Sequence, residues 1–354
     1  MDWRKSATER DRAFCLGSGV VRMYTSGLMA TGLWAVCSLL QFASCEALPH
    51  LPTGSMTLTL TQSLKVIAAN QTKTKPSGTS SSPRPPTPKE NPLLVAHRGD
   101  SIAYPENTME AFVSAYRKGA DVLECDVYLS SDGVVMIIHD ATVTRTTEAM
   151  GRVDSYTYDE LRQLDAGYRF TRDGGATFPF RGQGVQIPSM REALMALPDA
   201  IFNIDMKEGE PMARPLAHLV EELGCQDRVQ IATTRTDGGG MDTFRELQPT
   251  VKMVATVGET LAFAALFVVG LPDAHTPIGF EYQVPVIAGL SDTPELIRAA
   301  NALGQTVQHW TINDGAEMVR LLDIGSDGIM TDDVSLGMEV FAPYRPPPVH
   351  GSVQ

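Results

Sequence analysis

The sequence predicts an α/β fold, specifically a (β/α)8 TIM barrel with a small insertion after its third strand. Short apolar runs alternate with amphipathic stretches from residue 93 onward, which is typical of a parallel sheet covered by helices. The alternation continues for roughly 250 residues, a common length for a single barrel. Polar and charged residues follow several of the apolar runs, where barrel enzymes carry their active sites.

The first 45 residues differ in composition from the predicted barrel. A basic lead precedes an almost uncharged run over residues 27–45, GLMATGLWAVCSLLQFASC. This order is typical of a signal peptide or a membrane anchor, and a lipid attached at Cys45 is a third alternative. Because the basic flank stays inside, we expect an exported protein, periplasmic, extracellular or membrane-anchored, with residues 27–45 as its candidate membrane contact.

The chain on either side of the predicted barrel (residues 93–340) is rich in proline. Residues 71–92 combine Pro, Ser, Thr and Lys, a composition that cannot pack a core, and we predict a disordered linker over residues 46–92. The last residues, 341–354, are predicted to be a Pro-rich tail.

Charge and cysteine content limit the functions and cross-links that the sequence allows. Residues 1–92 contain 10 Lys and Arg against 5 Asp and Glu, which leaves 19 basic and 37 acidic residues after them. An acidic domain is a poor candidate for binding nucleic acid, so we predict no nucleic-acid partner. In the barrel, Cys125 and Cys225 are predicted to be two buried thiols rather than a disulfide.

Nine apolar runs compete for the eight strand positions of the barrel, and the pattern does not decide which of them lies outside. The predicted strands are 93–97, two runs within 121–140, and 201–207, 228–232, 252–255, 278–284, 306–311 and 328–331. The predicted helices are 108–118, 212–222, 241–247, 293–303 and 316–323. The insertion, at about 141–190, is Gly-rich and aromatic, with one clear helix near 158–164.

The stretch 121–140, DVLECDVYLSSDGVVMIIHD, carries the densest chemistry. Glu124 and Asp126 are two residues apart, so on a strand their side chains point to the same side, opposite Cys125. Paired carboxylates in a folded interior need a proton or a cation, and a hard divalent cation is the simplest partner. A hairpin turn centred between Ser131 and Asp132 would place Glu124 opposite His139.

Further polar residues follow other predicted strands. His97 and Arg98 follow the first strand, Asp205 and Lys207 end the strand at 201–207, and Trp310 lies in the strand at 306–311. Carboxylates suit a divalent cation, Arg and Lys suit a bound phosphate, and two histidines suit general acid and base catalysis. Together these residue types predict metal-assisted phosphodiester cleavage.

The motifs resemble those of the glycerophosphodiester phosphodiesterase family over about residues 93–340. The order and spacing of the motifs match that family. The matching motifs are His97-Arg98-Gly99, Pro105-Glu106-Asn107-Thr108, Glu124-Cys125-Asp126-Val127, Asp132-Gly133, His139-Asp140, Arg145-Thr146-Thr147, Ile204-Asp205-Met206-Lys207, Trp310-Thr311-Ile312-Asn313 and Asp327-Gly328-Ile329-Met330-Thr331-Asp332.

The resemblance implies a role for each candidate residue. One Ca²⁺ or Mg²⁺ ion would bind Glu124, Asp126 and Asp205, although the third ligand of the family is usually Glu. The acid–base pair would be His97 and His139. Phosphate would be held by Arg98 and Lys207, and Trp310 would either line the glycerol pocket or belong to the core. Glu106 also resembles an acid of the family, and an alternative role for it is to cap the helix at 108–118.

The implied reaction converts a small glycerophosphodiester into glycerol 3-phosphate and an alcohol. The attacking group would be the neighbouring glycerol hydroxyl or water. One alternative is a lipid phosphodiesterase of the lysophospholipase D type, in which aromatic residues of the insertion meet an acyl chain. A second alternative is a non-catalytic domain that binds phosphodiester headgroups.

Overall fold

A computed structural model of the chain describes residues 14–16, 19–21 and 88–345. Strands β1 (Phe14–Leu16) and β2 (Gly19–Val21) form a short antiparallel pair. The predicted leader run at 27–45, most of the predicted linker and residues 346–354 lie outside these ranges, so those assignments stay predictions. Within the described ranges, no helix is long and apolar enough to cross a bilayer.

Eight parallel strands form a barrel within residues 88–345, which confirms the predicted fold class. Their order around the wall is β8-β7-β6-β4-β3-β11-β10-β9. Two backbone hydrogen bonds join the end strands, from Phe280 N to Met253 O (2.9 Å) and from Ala255 N to Glu281 O (2.8 Å). The strands are β3 (Leu93–Ala96), β4 (Val122–Leu129), β6 (Ile201–Met206), β7 (Val229–Ala232), β8 (Lys252–Met253), β9 (Glu281–Pro285), β10 (Thr306–Trp310) and β11 (Gly328–Thr331).

The ninth apolar run is strand β5 (Val135–Ile137), which pairs antiparallel with β4 outside the barrel order. The predicted hairpin is therefore present, but its predicted register is wrong by one residue, because Val127 pairs with Ile137 rather than with Met136. Ser130 and Val134 close a three-residue turn, with Ser130 N donating to Val134 O (3.0 Å). Gly133 takes the left-handed position of this turn (φ 81°), as three-residue hairpin loops require.

Helices alternate with the barrel strands, and the five helices predicted for the barrel are present within two residues of their predicted ends. The helix predicted near 158–164 in the insertion is present but ends at Leu161. Phe112 of the first helix packs edge-on against Phe202 of β6, with ring centroids 5.7 Å apart. Helix α6 (Val257–Val268) was not predicted because, after its first turn, its sequence LAFAALFV is apolar throughout and shows no helical period. The helices are α1 (Met109–Lys118), α2 (Tyr158–Leu161), α3 (Met190–Ala196), α4 (Glu210–Leu223), α5 (Met241–Leu247), α6 (Val257–Val268), α7 (Pro294–Ala302), α8 (Gly315–Asp323) and α9 (Val334–Phe341).

The insertion between β5 and α3 has its own small core, which includes Val143, Leu161 and Ile187. The ring of Phe180 lies 5.3 Å from that of Phe170 and 5.6 Å from that of Tyr104, in the loop after β3. The insertion is thereby joined to the loop that also carries His97 and Arg98.

Strand alternation separates the outer core of the barrel from its interior. Leu123, Cys125 and Val127 pack in the core that the strands share with the helices. Glu124 and Asp126 therefore lie on the opposite side of the strand, as predicted, and point into the barrel. Cys125 and Cys225 are buried and free, as predicted.

The barrel interior also contains polar side chains near these acids. Asn203, Gln230 and Gln308 are buried and carry side-chain atoms that find no hydrogen-bond partner among the described residues. Glu281, 1% exposed, accepts hydrogen bonds from Gln308 Nε2 (2.6 Å) and Gln283 Nε2 (3.1 Å). Burial raises the pKa of Glu281 to about 7.

The raised pKa of Glu281 predicts a pH-dependent loss of stability. Between its ordinary value of 4.5 and about 7, the native carboxyl keeps a proton that the unfolded one has released. The free energy of unfolding should therefore fall as pH rises through this window. Glu281→Gln cannot ionise, so its stability relative to wild type should increase by about 3 kcal/mol across the window.

Urea denaturation of both proteins at pH 4.5, 5.5, 6.5 and 7.5 measures this difference. Glu339→Gln, at an exposed position of α9, should give a curve parallel to wild type. A parallel curve for Glu281→Gln would contradict the assigned titration.

Candidate active site

The carboxyl ends of the barrel strands bring most of the predicted site residues to one end of the fold. His97 and Arg98 directly follow β3, Asp126 lies within β4, and Lys207 directly follows β6. Asp126 is the register neighbour of Asp205 on the adjacent parallel strand, so their side chains lie side by side.

The turn after β3 places Arg98 in the site. Arg98 has a left-handed backbone (φ 56°), uncommon for a residue with a side chain, and Gly99 follows with φ 81°. A Cβ atom at Gly99 would lie 2.7 Å from the backbone carbon of Ala111 in α1, so only glycine fits there. The turn lets the Arg98 amide donate to Glu124 Oε2 (2.9 Å) while its side chain reaches Asp126.

Charges alternate across the mouth of the barrel. Arg98 Nε lies 3.2 Å from Asp126 Oδ2, and Lys207 Nζ lies 2.9 Å from Asp126 Oδ1 and 2.7 Å from Asp205 Oδ2. Asn107 Nδ2 donates to Asp126 Oδ2 over 2.9 Å. Two cations and an amide therefore surround one carboxylate whose side chain is 2% exposed.

The two acids of β4 differ in electrostatic environment. Burial alone would raise the pKa of Asp126, but the charges of Lys207 and Arg98 lower it to about 2. Burial, together with the charge of Asp126, raises the pKa of Glu124 to about 7. The neighbours of Asp126 thus keep it ionised. An added positive charge would therefore stabilise the ionised form of Glu124 more than that of Asp126.

The chemistry of the donor set fits a hard divalent cation. Glu124, Asp126 and Asp205 supply carboxylate oxygens on neighbouring strands, and Asn203, the register neighbour of Glu124, has a side-chain oxygen without a partner among the described residues. Within those residues, however, no three acidic, histidine or cysteine side chains are already arranged as a ligand set. Lys207 instead bridges Asp126 and Asp205.

Both candidate histidines contact a carboxylate through the same ring nitrogen. His97 Nδ1 lies 2.7 Å from Asp332 Oδ1, and His139 Nδ1 lies 2.7 Å from Asp140 Oδ1. Each ring therefore has its Nε2 atom available for a substrate. Arg145 donates to Asp140 Oδ2 (2.6 Å) and so supports the second pair.

Glu106 does not cap helix α1, so the capping alternative is wrong. The cap is Thr108, whose hydroxyl accepts from Ala111 N over 3.3 Å. Glu106 instead pairs with Arg98 (3.0 Å) and Arg145 (2.7 Å). It links the two arginines, and through them the acid cluster to His139.

Trp310 ends β10 at the same end of the barrel, 36% exposed. This exposure favours the pocket-lining interpretation over the core interpretation, although no described hydrogen bond ties its side chain to the acid cluster.

Several residues that contact the candidate site residues lie in the motifs quoted above, but the sequence analysis assigned them no role. Asn107 and Arg145 fall into this group, as does Asp332, one residue beyond β11. The same strand-end rule that selected His97 and Lys207 would also have selected Asp332.

Comparison with known proteins identifies the family. Residues 97–336 match the model of the glycerophosphoryl diester phosphodiesterase family. The chain is 32% identical over 245 residues to a glycerophosphodiester phosphodiesterase of Bacillus altitudinis, covering 68% of this chain and 94% of the relative. A glycerophosphodiester phosphodiesterase of Caldanaerobacter subterraneus subsp. tengcongensis is also 32% identical, over 248 residues, covering 68% of this chain and 94% of the relative.

Solved structures agree with the fold. The glycerophosphoryl diester phosphodiesterase domain of an uncharacterized Mycobacterium tuberculosis protein superposes with a TM-score of 0.62 at 23% identity, covering 71% of this chain and 99% of that domain. An Oleispira antarctica phosphodiesterase, solved in complex with the product sn-glycerol-3-phosphate, superposes with a TM-score of 0.56 at 22% identity, covering 70% and 95%. Family model, relatives and barrel together establish that this chain is a phosphoric diester hydrolase and belongs to the glycerophosphoryl diester phosphodiesterase family.

Proposed function

We propose that the chain hydrolyses glycerophosphodiesters to glycerol 3-phosphate and an alcohol in a reaction that depends on one divalent cation, with His97 and His139 as the acid–base pair. The observation that carries this proposal is the pair of histidines at the mouth of the barrel. Each histidine contacts a carboxylate, and ion pairs between charged side chains lie between the two. Asp332 contacts His97, whose neighbour in the chain, Arg98, pairs with Glu106. The ion pairs then continue from Glu106 to Arg145, Asp140 and His139.

The histidines move the protons. One imidazole accepts the proton of the attacking hydroxyl, which belongs to the neighbouring glycerol carbon or to water, as the new P–O bond forms. The other donates a proton to the alcohol oxygen as the old P–O bond breaks. If the glycerol hydroxyl attacks, water then opens the cyclic phosphodiester and the two rings exchange roles.

Arg98 and Lys207 bind the phosphate. Their side chains are 18% and 13% exposed at the barrel mouth, and both lie against Asp126. A phosphate oxygen entering beside Asp126 meets a guanidinium fork and an ammonium group already oriented by hydrogen bonds. Trp310 would line the pocket for the glycerol moiety.

Glu124, Asp126 and Asp205 are the residues that would hold the cation, Ca²⁺ or Mg²⁺. When bound, the cation would polarise the phosphate and offset its negative charge. The burial of Glu124 supports this assignment, because its carboxylate has a hydrogen bond from Arg98 N but no ion pair among the described residues, and a cation would supply the missing positive charge.

The test is the release of glycerol 3-phosphate from glycerophosphocholine by the full chain, with Ca²⁺, with Mg²⁺ and with chelator. We expect release that chelation abolishes and that one of the two cations restores. Release that persists after exhaustive chelation would contradict metal dependence. A folded protein that binds glycerophosphocholine without cleaving it would favour the binding-domain alternative.

A lysophospholipase D-type activity is the second candidate. The aromatic row of Tyr104, Phe180 and Phe170 supports it, because it joins the insertion to the loop that carries His97. Half-buried aromatic rings beside a phosphodiester site suit an acyl chain. Assaying lysophosphatidylcholine beside glycerophosphocholine separates the two substrates, and a higher kcat/KM for the lysolipid would favour this candidate.

A further inference from the structure

Asp332 follows the last barrel strand and contacts a residue of the first. Its Oδ1 atom lies 2.7 Å from His97 Nδ1 and accepts a hydrogen bond from Ser101 Oγ over 3.0 Å. Ser101 Oγ lies 2.9 Å from the His97 carbonyl oxygen as well. Both ends of the turn after β3 are thus connected to this one carboxylate.

The second oxygen of Asp332 is fixed from another strand. Asn313, beyond the end of β10, donates from Nδ2 to Asp332 Oδ2 over 2.6 Å. Asn313 Oδ1 in turn accepts from Asp332 N (2.9 Å) and from Thr331 Oγ1 (2.9 Å). The carboxylate therefore has little freedom to rotate, and its fixed position sets the orientation of the His97 ring that donates to it.

The surroundings of Asp332 differ from those of Asp140, the carboxylate of the other histidine. Asp140 is shared with the cation Arg145, which lies 2.6 Å away. Apart from His97, the carboxylate of Asp332 contacts only neutral groups among the described residues, the hydroxyl of Ser101 and the side-chain amide of Asn313. The negative charge of Asp332 is therefore directed mainly at His97.

We propose that Asp332 is the positioning residue for His97: it keeps the proton of the neutral ring on Nδ1 and directs Nε2 toward the reacting oxygen. This inference rests on the proposed catalytic role of His97. The pKa of His97 agrees with it, because burial alone would lower that pKa, whereas the hydrogen bond to Asp332 and the charge of Glu124 raise it.

Asp332→Asn in the full chain tests the assignment. Asn313 Nδ2 would hold the amide oxygen of the new side chain, which turns its NH2 group toward His97 Nδ1. A donor at that place favours the tautomer with the proton on Nε2, the wrong one for accepting a proton from substrate. We expect kcat to fall by about 10²-fold or more, with KM changed less than about threefold.

Two readouts separate positioning from a general loss of structure. The limb of the pH–rate profile that reports His97 should move to lower pH, because the ring loses its negative partner. The ¹⁵N NMR signals of His97, assigned among the 7 histidines with His97→Ala, should change from the Nδ1–H to the Nε2–H pattern. The NMR readout needs no substrate, so it remains valid even if the proposed reaction is wrong.

Asp333→Asn is the matched control. Asp333 caps α9 by accepting from Leu336 N (3.0 Å), and Asn caps a helix equally well, so this variant should keep wild-type kcat. If Asp332→Asn does not fold, Ser101→Ala removes one hydrogen bond to the same oxygen and should lower kcat by about threefold to tenfold. An unchanged tautomer in Asp332→Asn, or an unchanged kcat in either variant, overturns the proposal.

Discussion

Replacing His97 or His139 with alanine is expected to lower kcat for glycerophosphocholine by about 10²–10⁴-fold, the usual contribution of a positioned general acid or base. The rings are 18% and 31% exposed at the barrel mouth, so their removal leaves no large cavity in the core. The variants should fold, and their loss should appear in kcat more than in KM because both rings act in the transition state.

Steady-state kinetics of each single variant and of the double variant measure this effect. If the two rings act in one proton-transfer sequence, the double variant should lose little beyond the worse single variant. His218→Ala, at an exposed position of α4, serves as the control and should match wild type. A His139→Ala enzyme with more than about a third of wild-type kcat would exclude His139 from that pair.

The barrel could be predicted from the sequence because its evidence is local. Each strand is a short apolar run and the five predicted barrel helices each show an apolar period, so element order followed from patterns a few residues long. The hairpin register depended on whether the turn contains two or three residues, and the left-handed backbone of Gly133 decided it. The amino-acid composition of the strands does not distinguish two registers that differ by one residue.

The site was partly predictable for the same reason. His97, Arg98, Asp205 and Lys207 are marked by their places at strand ends. The contact of Asp332 with His97 joins residues 235 positions apart, and it exists because β3 and β11 are neighbours in the closed barrel. Likewise, no local pattern could predict the polar interior around Glu281, which depends on side chains from several strands meeting there.

Loss of Lys207 should strongly destabilise the fold. Its ammonium group, 13% exposed, bridges Asp126 and Asp205 at 2.9 Å and 2.7 Å. Burial alone would lower the pKa of Lys207, but Asp205 and Asp126 raise it, so the side chain is charged at neutral pH. Removing one partner of a buried ion pair leaves uncompensated charge, and we expect Lys207→Met to lower the free energy of unfolding by about 3–5 kcal/mol.

The proposed cation site gives this variant a second property. In Lys207→Met, Asp126 and Asp205 repel each other without the ammonium group, so a divalent cation between them should stabilise the variant more than it stabilises wild type. Thermal unfolding in chelator, Ca²⁺ and Mg²⁺ measures this difference. Lys118→Met is the matched control, because Lys118 Nζ pairs at 2.6 Å with the fully buried Asp100. That variant should also be destabilised, but a single carboxylate without a neighbouring acid should give no comparable gain from the cation.

The double variant Lys207→Met/Asp205→Asn distinguishes cation binding from simple charge screening. Removing one of the two carboxylates relieves their repulsion, so the double variant should be more stable than Lys207→Met in chelator. It should also lose most of the added stabilisation by Ca²⁺ or Mg²⁺, because a ligand is gone. Monovalent salt at equal ionic strength would reproduce the effect if only screening were involved. Equal responses of Lys207→Met and Lys118→Met to divalent cations would mean that Asp126 and Asp205 do not share a cation.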